Sequence, residues 1–136
     1  MIEVIVVIGI IGILGAIGVS AYKTLERQND LTIATHTVVQ NLRRAQILSQ
    51  ANSGDITWGV KVLQGQSVIF KGLDYTSREI DSDEVFETSS RVVASGTNEI
   101  IFSKLSGLPQ NTGTITFSIN DKTENITINS KGAIHY

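Results

Sequence analysis

The sequence predicts an α+β fold in which a long N-terminal helix packs on an antiparallel β-sheet head. Three observations carry this. No proline interrupts Met1 to Ala51; apolar residues within that stretch recur at helical spacing; and the second half alternates with the period of half-buried strands. Helix first and strands afterwards, without strand–helix–strand alternation, is the α+β pattern. With 136 residues the chain has material for one core and too little for two.

The first element is residues 1–21. Hydrophobic residues make up 41% of the chain and charged residues only 18%, below the roughly 25% usual for a soluble domain. The deficit is local: residues 4–19 read VIVVIGIIGILGAIGV, and Glu3 is the only charge before Lys23. Twenty-one residues at ~1.5 Å each give roughly 30 Å of helix, about the thickness of a bilayer's hydrocarbon layer. Three readings compete for this segment: a cleaved signal, a plain membrane anchor, and a helix held in lipid until it packs elsewhere. Nothing positive precedes the apolar run, which counts against a signal, although Val19-Ser20-Ala21 has small-x-small form. A plain anchor would avoid Glu3, because a carboxylate within an apolar span is costly. The acid is best explained by a partner charge.

Gly9, Gly12, Gly15 and Gly18 recur every third residue. Three residues turn a helix by about 300°, so successive glycines drift by about 60° instead of lining one seam. They are candidates for helix flexibility, since each lowers helix propensity by about 1 kcal/mol relative to Ala. Close packing between helices is the other reading.

The second element, residues 22–52, is amphipathic. Leu31, Ala34, Val38, Leu42, Ala45 and Leu48 draw one apolar stripe, with Arg27, Asp30, Gln40, Asn41, Arg43 and Arg44 in the other directions. Asn52-Ser53-Gly54 ends it. Residues 53–136 form the head. Ile56, Trp58, Val60 and Val62 share a strand face, Gln64-Gly65-Gln66 turns the chain, and Val68-Ile69-Phe70 completes a hairpin. Strands follow at 98–103, 114–119, 124–129 and 133–136, with turns at 120–123 and 130–132 making the end a meander. Residues 72–97 carry no recognisable element.

These residues bear a family likeness. Ile2-Glu3-Val4-Ile5 before an apolar helix, then Tyr22-Lys23 and an amphipathic continuation, resembles the N-terminus of type IV pilins and type II secretion pseudopilins. The Leu42-Arg43-Arg44-Ala45-Gln46 helix, the Ile101-Phe102 strand leading to Gly107, the Gly113 to Phe117 strand, and Ile126 to Asn129 with Gly132 look like the H-type (FimT-like) pseudopilin head. Met1 stands in the family's Leu slot, and its proline near the end of the apolar stretch is missing, with Ser20 near that place. The resemblance implies a minor, non-enzymatic structural subunit without cofactor. Such a subunit sits singly across the inner (cytoplasmic) membrane, head outside the cytoplasm, and then enters a pilus or pseudopilus. It implies as partners other pilin or pseudopilin subunits, an inner-membrane assembly platform and a prepilin peptidase. Glu3 would neutralise the terminal amine of a neighbouring subunit.

Other chemistries are weak. Zero Cys and two isolated His, His36 and His135, supply neither thiol chemistry nor paired metal ligands. Glu79, Asp81, Asp83, Glu84 and Glu87 are acidic but lack the spacing of a calcium loop, so a solvated loop is expected. Trp58 is expected in the core, and Asn125-Ile126-Thr127 is a sequon of chance length. Two alternatives stand beside the filament subunit: a DNA-binding minor pilin, or a membrane-anchored extracytoplasmic binding domain. DNA binding would have only Lys122, Lys131 and His135, with Tyr136, at the C-terminal end, and net charge −2 gives no bulk attraction for nucleic acid.

Overall fold

The computed structural model describes residues 2–51 and 53–136, the side chains of 16–21 and 53 excepted. Its first element is one unbroken helix, α1 (Ile2–Gln50), 49 residues long and about 74 Å at ~1.5 Å per residue. Of the expected terminator, Asn52 lies outside the described residues, and Gly54 adopts φ 78° just past the end. A loop closes the helix as well: the Leu105 N–H donates to the Ser49 carbonyl at 2.8 Å, satisfying one of the last orphan acceptors.

Eight strands follow: β1 (Trp58–Leu63), β2 (Gln66–Lys71), β3 (Glu84–Glu87), β4 (Val93–Gly96), β5 (Glu99–Phe102), β6 (Gly113–Ile119), β7 (Lys122–Ile128) and β8 (Ile134–His135). They form two antiparallel sheets, ordered β3-β2-β1-β5 and β4-β6-β7-β8. The head is thus two sheets where one was expected. The chain passes between them three times, most tightly from β4 to β5 at Gly96-Thr97-Asn98. Gly96 sits at φ +85°, and a Cβ there would collide with the Thr114 carbonyl oxygen, so only glycine makes this corner cheaply. The Thr97 N–H donates to that same Thr114 carbonyl, while the Asn98 carbonyl accepts from Val62 N–H.

The core is the meeting of α1 with the inward faces of both sheets. Leu31, Ala34, Val38, Leu42 and Ala45 are buried as their spacing predicted, Leu48 is half-buried, and Val39 joins them. They pack on Trp58, Val60, Ile69, Ile100 and Phe102 of one sheet and Ile115, Phe117, Ile126 and Ile128 of the other. Asn41 corrects the sequence reading, which placed it on the polar side. It is buried, and its Nδ2 donates to the buried Ser67 Oγ at 2.7 Å. A polar side chain can face a core where a hydroxyl receives it.

Residues 72–97 are the larger correction, since β3 and β4 lie there and the acidic stretch is not simply a solvated loop. β3 is an edge strand whose charged ends disguise its period: Phe86 leans on the core, Glu84 meets α1, and Val85 stays exposed. Charge on a sheet edge discourages pairing with another chain. Between β2 and β3 the loop folds over the outer face of its sheet. There Tyr75 meets Phe70 edge-on, with ring centroids 5.6 Å apart, and the Arg78 guanidinium lies 3.8 Å from the Tyr75 centroid. Asp83 holds Arg78 at 2.8 Å and raises its already high pKa through that hydrogen bond. The turn expected at 120–123 is shorter, because β7 already begins at Lys122.

Candidate functional site

The feature the fold leaves unexplained is the N-terminal part of α1. Every core residue of the helix lies at Leu31 or beyond, and Ile2 to Gly15 are all exposed. Among the described residues nothing covers the apolar side chains there; Ile2, for instance, is 75% exposed and Ile11 64%. A soluble domain rarely shows a contiguous apolar surface of this kind without something that covers it.

The head grips α1 from several sides. Arg91 contacts Glu26 and Asp30, each at 2.8 Å, and Ser89 donates to Asp30 at 2.9 Å. The Glu26 hydrogen bond is the main reason the Arg91 pKa is raised. Lys122 Nζ reaches Gln28 Oε1 at 2.7 Å, Thr32 donates to Glu124 at 3.2 Å, and Arg44 forms a two-pronged pair with Glu84 at 2.8 and 2.9 Å. Near the helix end, Gln46 Nε2 donates to the carbonyls of Gly107 and Gly132. The single helix therefore joins an embedded half to a bare half with no break at the join.

Glu3 is exposed, and among the described residues nothing in the chain pairs with it. A Cβ built on Gly9, Gly12 or Gly15 would meet nothing within 4 Å, so these glycines admit no close neighbour inside the chain. Gly18 falls outside the residues whose surroundings are described. No helix is long and apolar enough, among the described residues, to cross a membrane. The fourteen residues Ile2–Gly15 give only ~21 Å of helix, against roughly 30 Å of hydrocarbon.

The remaining candidates do not converge. Lys122 begins β7 and Lys131 lies in the turn after it, so the two lysines stand about 20 Å apart at ~3.3 Å per strand residue. His135 is in β8 and exposed. His36, also exposed, meets the Tyr136 ring edge-on at 5.3 Å. Three of the five acids in 79–87 are ion-paired: Glu79 with Lys71, Asp83 with Arg78 and Glu84 with Arg44. Among the described residues no three His, Cys, Asp or Glu stand where they could hold a metal. Trp58 is buried, as expected. Asn125 and Thr127 are exposed on β7, with Thr116 Oγ1 donating to Asn125 Oδ1 at 2.8 Å.

Sequence reasoning missed one feature. Gln40, Arg43, Arg44, Ile47 and Leu48 line a groove of about 410 Å³ along α1, at the margin of the core where Leu48 is half-buried. The signal was present in Ile47, an apolar residue off the main stripe that stands 63% exposed. Compared with protein-family models, curated proteins and solved structures, the chain matches none of them.

Proposed function

We propose that this chain is a structural subunit of a filament, of the type IV pilin or type II secretion pseudopilin kind, which assembles through the N-terminal part of α1. One observation carries the reading: a continuous helix whose C-terminal half is the spine of the head and whose residues 2–15 present apolar side chains to nothing among the described residues. Lipid can cover that arm before assembly and the arms of other subunits can cover it afterwards. In lipid the whole of residues 1–21 is required, which makes the chain a single-pass protein of the inner membrane with its head outside the cytoplasm. Other subunits, the assembly platform and a prepilin peptidase are the partners this reading brings with it.

Glu3 has a defined task in such an assembly. A carboxylate carried into an apolar interface is tolerated when a cation answers it, and costs several kcal/mol when none does. Sideways contacts repeated from subunit to subunit, without the rotation that closes a ring, build an open helical polymer. Glu3→Ala in the full-length chain should leave membrane insertion intact and abolish entry into filaments. Unchanged incorporation would remove Glu3 from the mechanism. Finding the protein only as dispersed single molecules, with residues 1–21 removed on export, would refute the reading as a whole.

A further inference from the structure

We infer that the cleft between α1 and the β6–β7 turn holds the head group of a phospholipid that carries both a phosphate and a primary ammonium, the chemistry of phosphatidylethanolamine. This rests on the reading that residues 1–21 lie in lipid with the head outside, and it names the lipid that the neck of the head takes.

Thr24 and Arg27 of α1, with Ile119, Asn120, Asp121 and Lys122 of the β6–β7 hairpin, line a cleft of about 220 Å³. Its outer wall is firm. Ile119 is buried and pairs in register with Lys122, which leaves Asn120, at φ 52°, and Asp121 as a tight two-residue turn. Lys122 Nζ is aimed by Gln28 Oε1 at 2.7 Å, a neutral partner that orients the ammonium and leaves its charge uncancelled. Among the described residues, neither Arg27 nor Lys122 has a carboxylate within ion-pair distance, and the same holds for Lys23. Lys23 and Arg27 stand four residues apart, hence on one face of α1, where like charges repel until an anion comes between them. The helix acids flanking Arg27, Glu26 and Asp30, are both engaged by Arg91.

Position along the helix sets the depth. With residue 21 at the edge of the hydrocarbon, Thr24 and Arg27 stand three and six residues above it, ~4.5 and ~9 Å at ~1.5 Å per residue. The head-group layer is roughly 5–8 Å deep on each side of a bilayer. Helical side chains tilt toward the N-terminus, which here means toward the bilayer, so Lys23 and Arg27 lean into the layer of phosphates. Tyr22, 70% exposed just below them, is of the residue type that gathers at a membrane–water boundary.

Asp121 decides the kind of head group. A bare phosphate would be attracted by Arg27 and Lys122 and repelled by Asp121, whereas an ammonium beside the phosphate answers all three charges. A choline group has no N–H to donate to the carboxylate, and a glycerol group has no cation. The cleft is smaller than the roughly 300–1,000 Å³ that encloses a whole small ligand, which suits a head group whose tails remain in the bilayer.

The test uses the full-length chain in detergent micelles carrying a small fraction of one phospholipid, and native mass spectrometry reads the lipid that each chain retains. Phosphatidylethanolamine should be held at one per chain, at about tenfold lower lipid than phosphatidylcholine or phosphatidylglycerol require. Arg27→Gln and Lys122→Gln should each weaken that retention about tenfold. Asp121→Asn, in an exposed turn, should keep the fold by circular dichroism and hand the advantage to phosphatidylglycerol. Equal retention of the three lipids, or an unchanged preference in Asp121→Asn, would overturn the proposal. So would displacement of the lipid by inorganic phosphate or by a duplex oligonucleotide, which would make the cleft a site for free phosphate or for nucleic acid. Alkaline extraction of the full-length chain from vesicles judges the underlying reading separately. A chain that resists extraction but shows no lipid preference loses only this proposal; a chain that washes off loses both.

Discussion

Deleting residues 1–24, so that the chain begins at Leu25, separates the two halves of α1 cleanly. The head should be indifferent. The first core residue is Leu31, and the ion pairs from Glu26 onward are retained. Among the described residues those removed are exposed, and a change at exposed residues is worth about 0.5 kcal/mol or less, or roughly 2 °C in Tm for a domain of this size. Association should suffer heavily. Ten large apolar side chains between Ile2 and Leu14 stand 52% to 75% exposed. Full burial of such a side chain is worth ~1.5–3 kcal/mol, so covering what remains open offers roughly 10–15 kcal/mol to any partner. Even after the cost of association takes back much of this, losing the arm should weaken self-association by at least about a thousandfold, ~4 kcal/mol. Thermal unfolding followed by circular dichroism reads the first quantity, and analytical ultracentrifugation of both forms reads the second. A fall in Tm beyond about 5 °C would mean that the arm packs on the head, contrary to its exposure. A fragment that associates as strongly as the full chain would place the contact surface elsewhere.

Two further outcomes follow from the interior and from the loop over the first sheet. Asn41→Ala and Ser67→Ala should each cost about 1–3 kcal/mol in urea unfolding, because each strands the other's buried polar group. The double variant should cost less than their sum, and additivity within ~0.5 kcal/mol would show that the 2.7 Å contact contributes nothing. The 72–83 loop should loosen in acid. The Lys71 ammonium holds the Glu79 carboxyl below its usual range through a hydrogen bond at 2.5 Å, and the Ser77 backbone N–H does the same for Asp74. A carboxylate whose folded pKa is depressed stabilises above its unfolded pKa and loses that contribution as pH falls through the folded value. Amide protection across residues 72–83, taken relative to the intrinsic exchange rate at each pH, should therefore fall as pH drops through the carboxylate range, and Glu79→Gln should flatten part of that response. An identical acid profile in the variant would show that the Glu79–Lys71 pair does not secure the loop.

Much of the fold was legible because its main elements bury one face. The stripe from Leu31 to Ala45 and the alternation of Ile115, Phe117 and Ile119 are direct readings of burial. β3 and β4 escaped for the opposite reason: they are sheet edges, largely exposed, so Glu84-Val85-Phe86-Glu87 shows no two-residue period to a reader who cannot see which side faces water. Asn41 was misread because side-chain polarity records what a group can bond, and its partner Ser67 lies 26 residues away. The corner at Gly96 depends on a collision with Thr114, a tertiary fact that no local pattern encodes. For the arm the position was reversed. Its apolar run was plain in the sequence, and what the structure adds is that, among the described residues, nothing in the head covers Ile2 to Gly15.

The continuity of α1 also has a mechanical consequence. A pull on the arm travels along an unbroken hydrogen-bonded rod into the stretch from Leu31 to Ala45, which is clamped side-on between two sheets. To slide that stretch out, all of its interdigitated side chains must be displaced together, not peeled away in sequence. Loaded in shear like this, the head should withstand tension along the rod far better than tension applied to a terminal strand such as β8, which two residues secure and which can unzip.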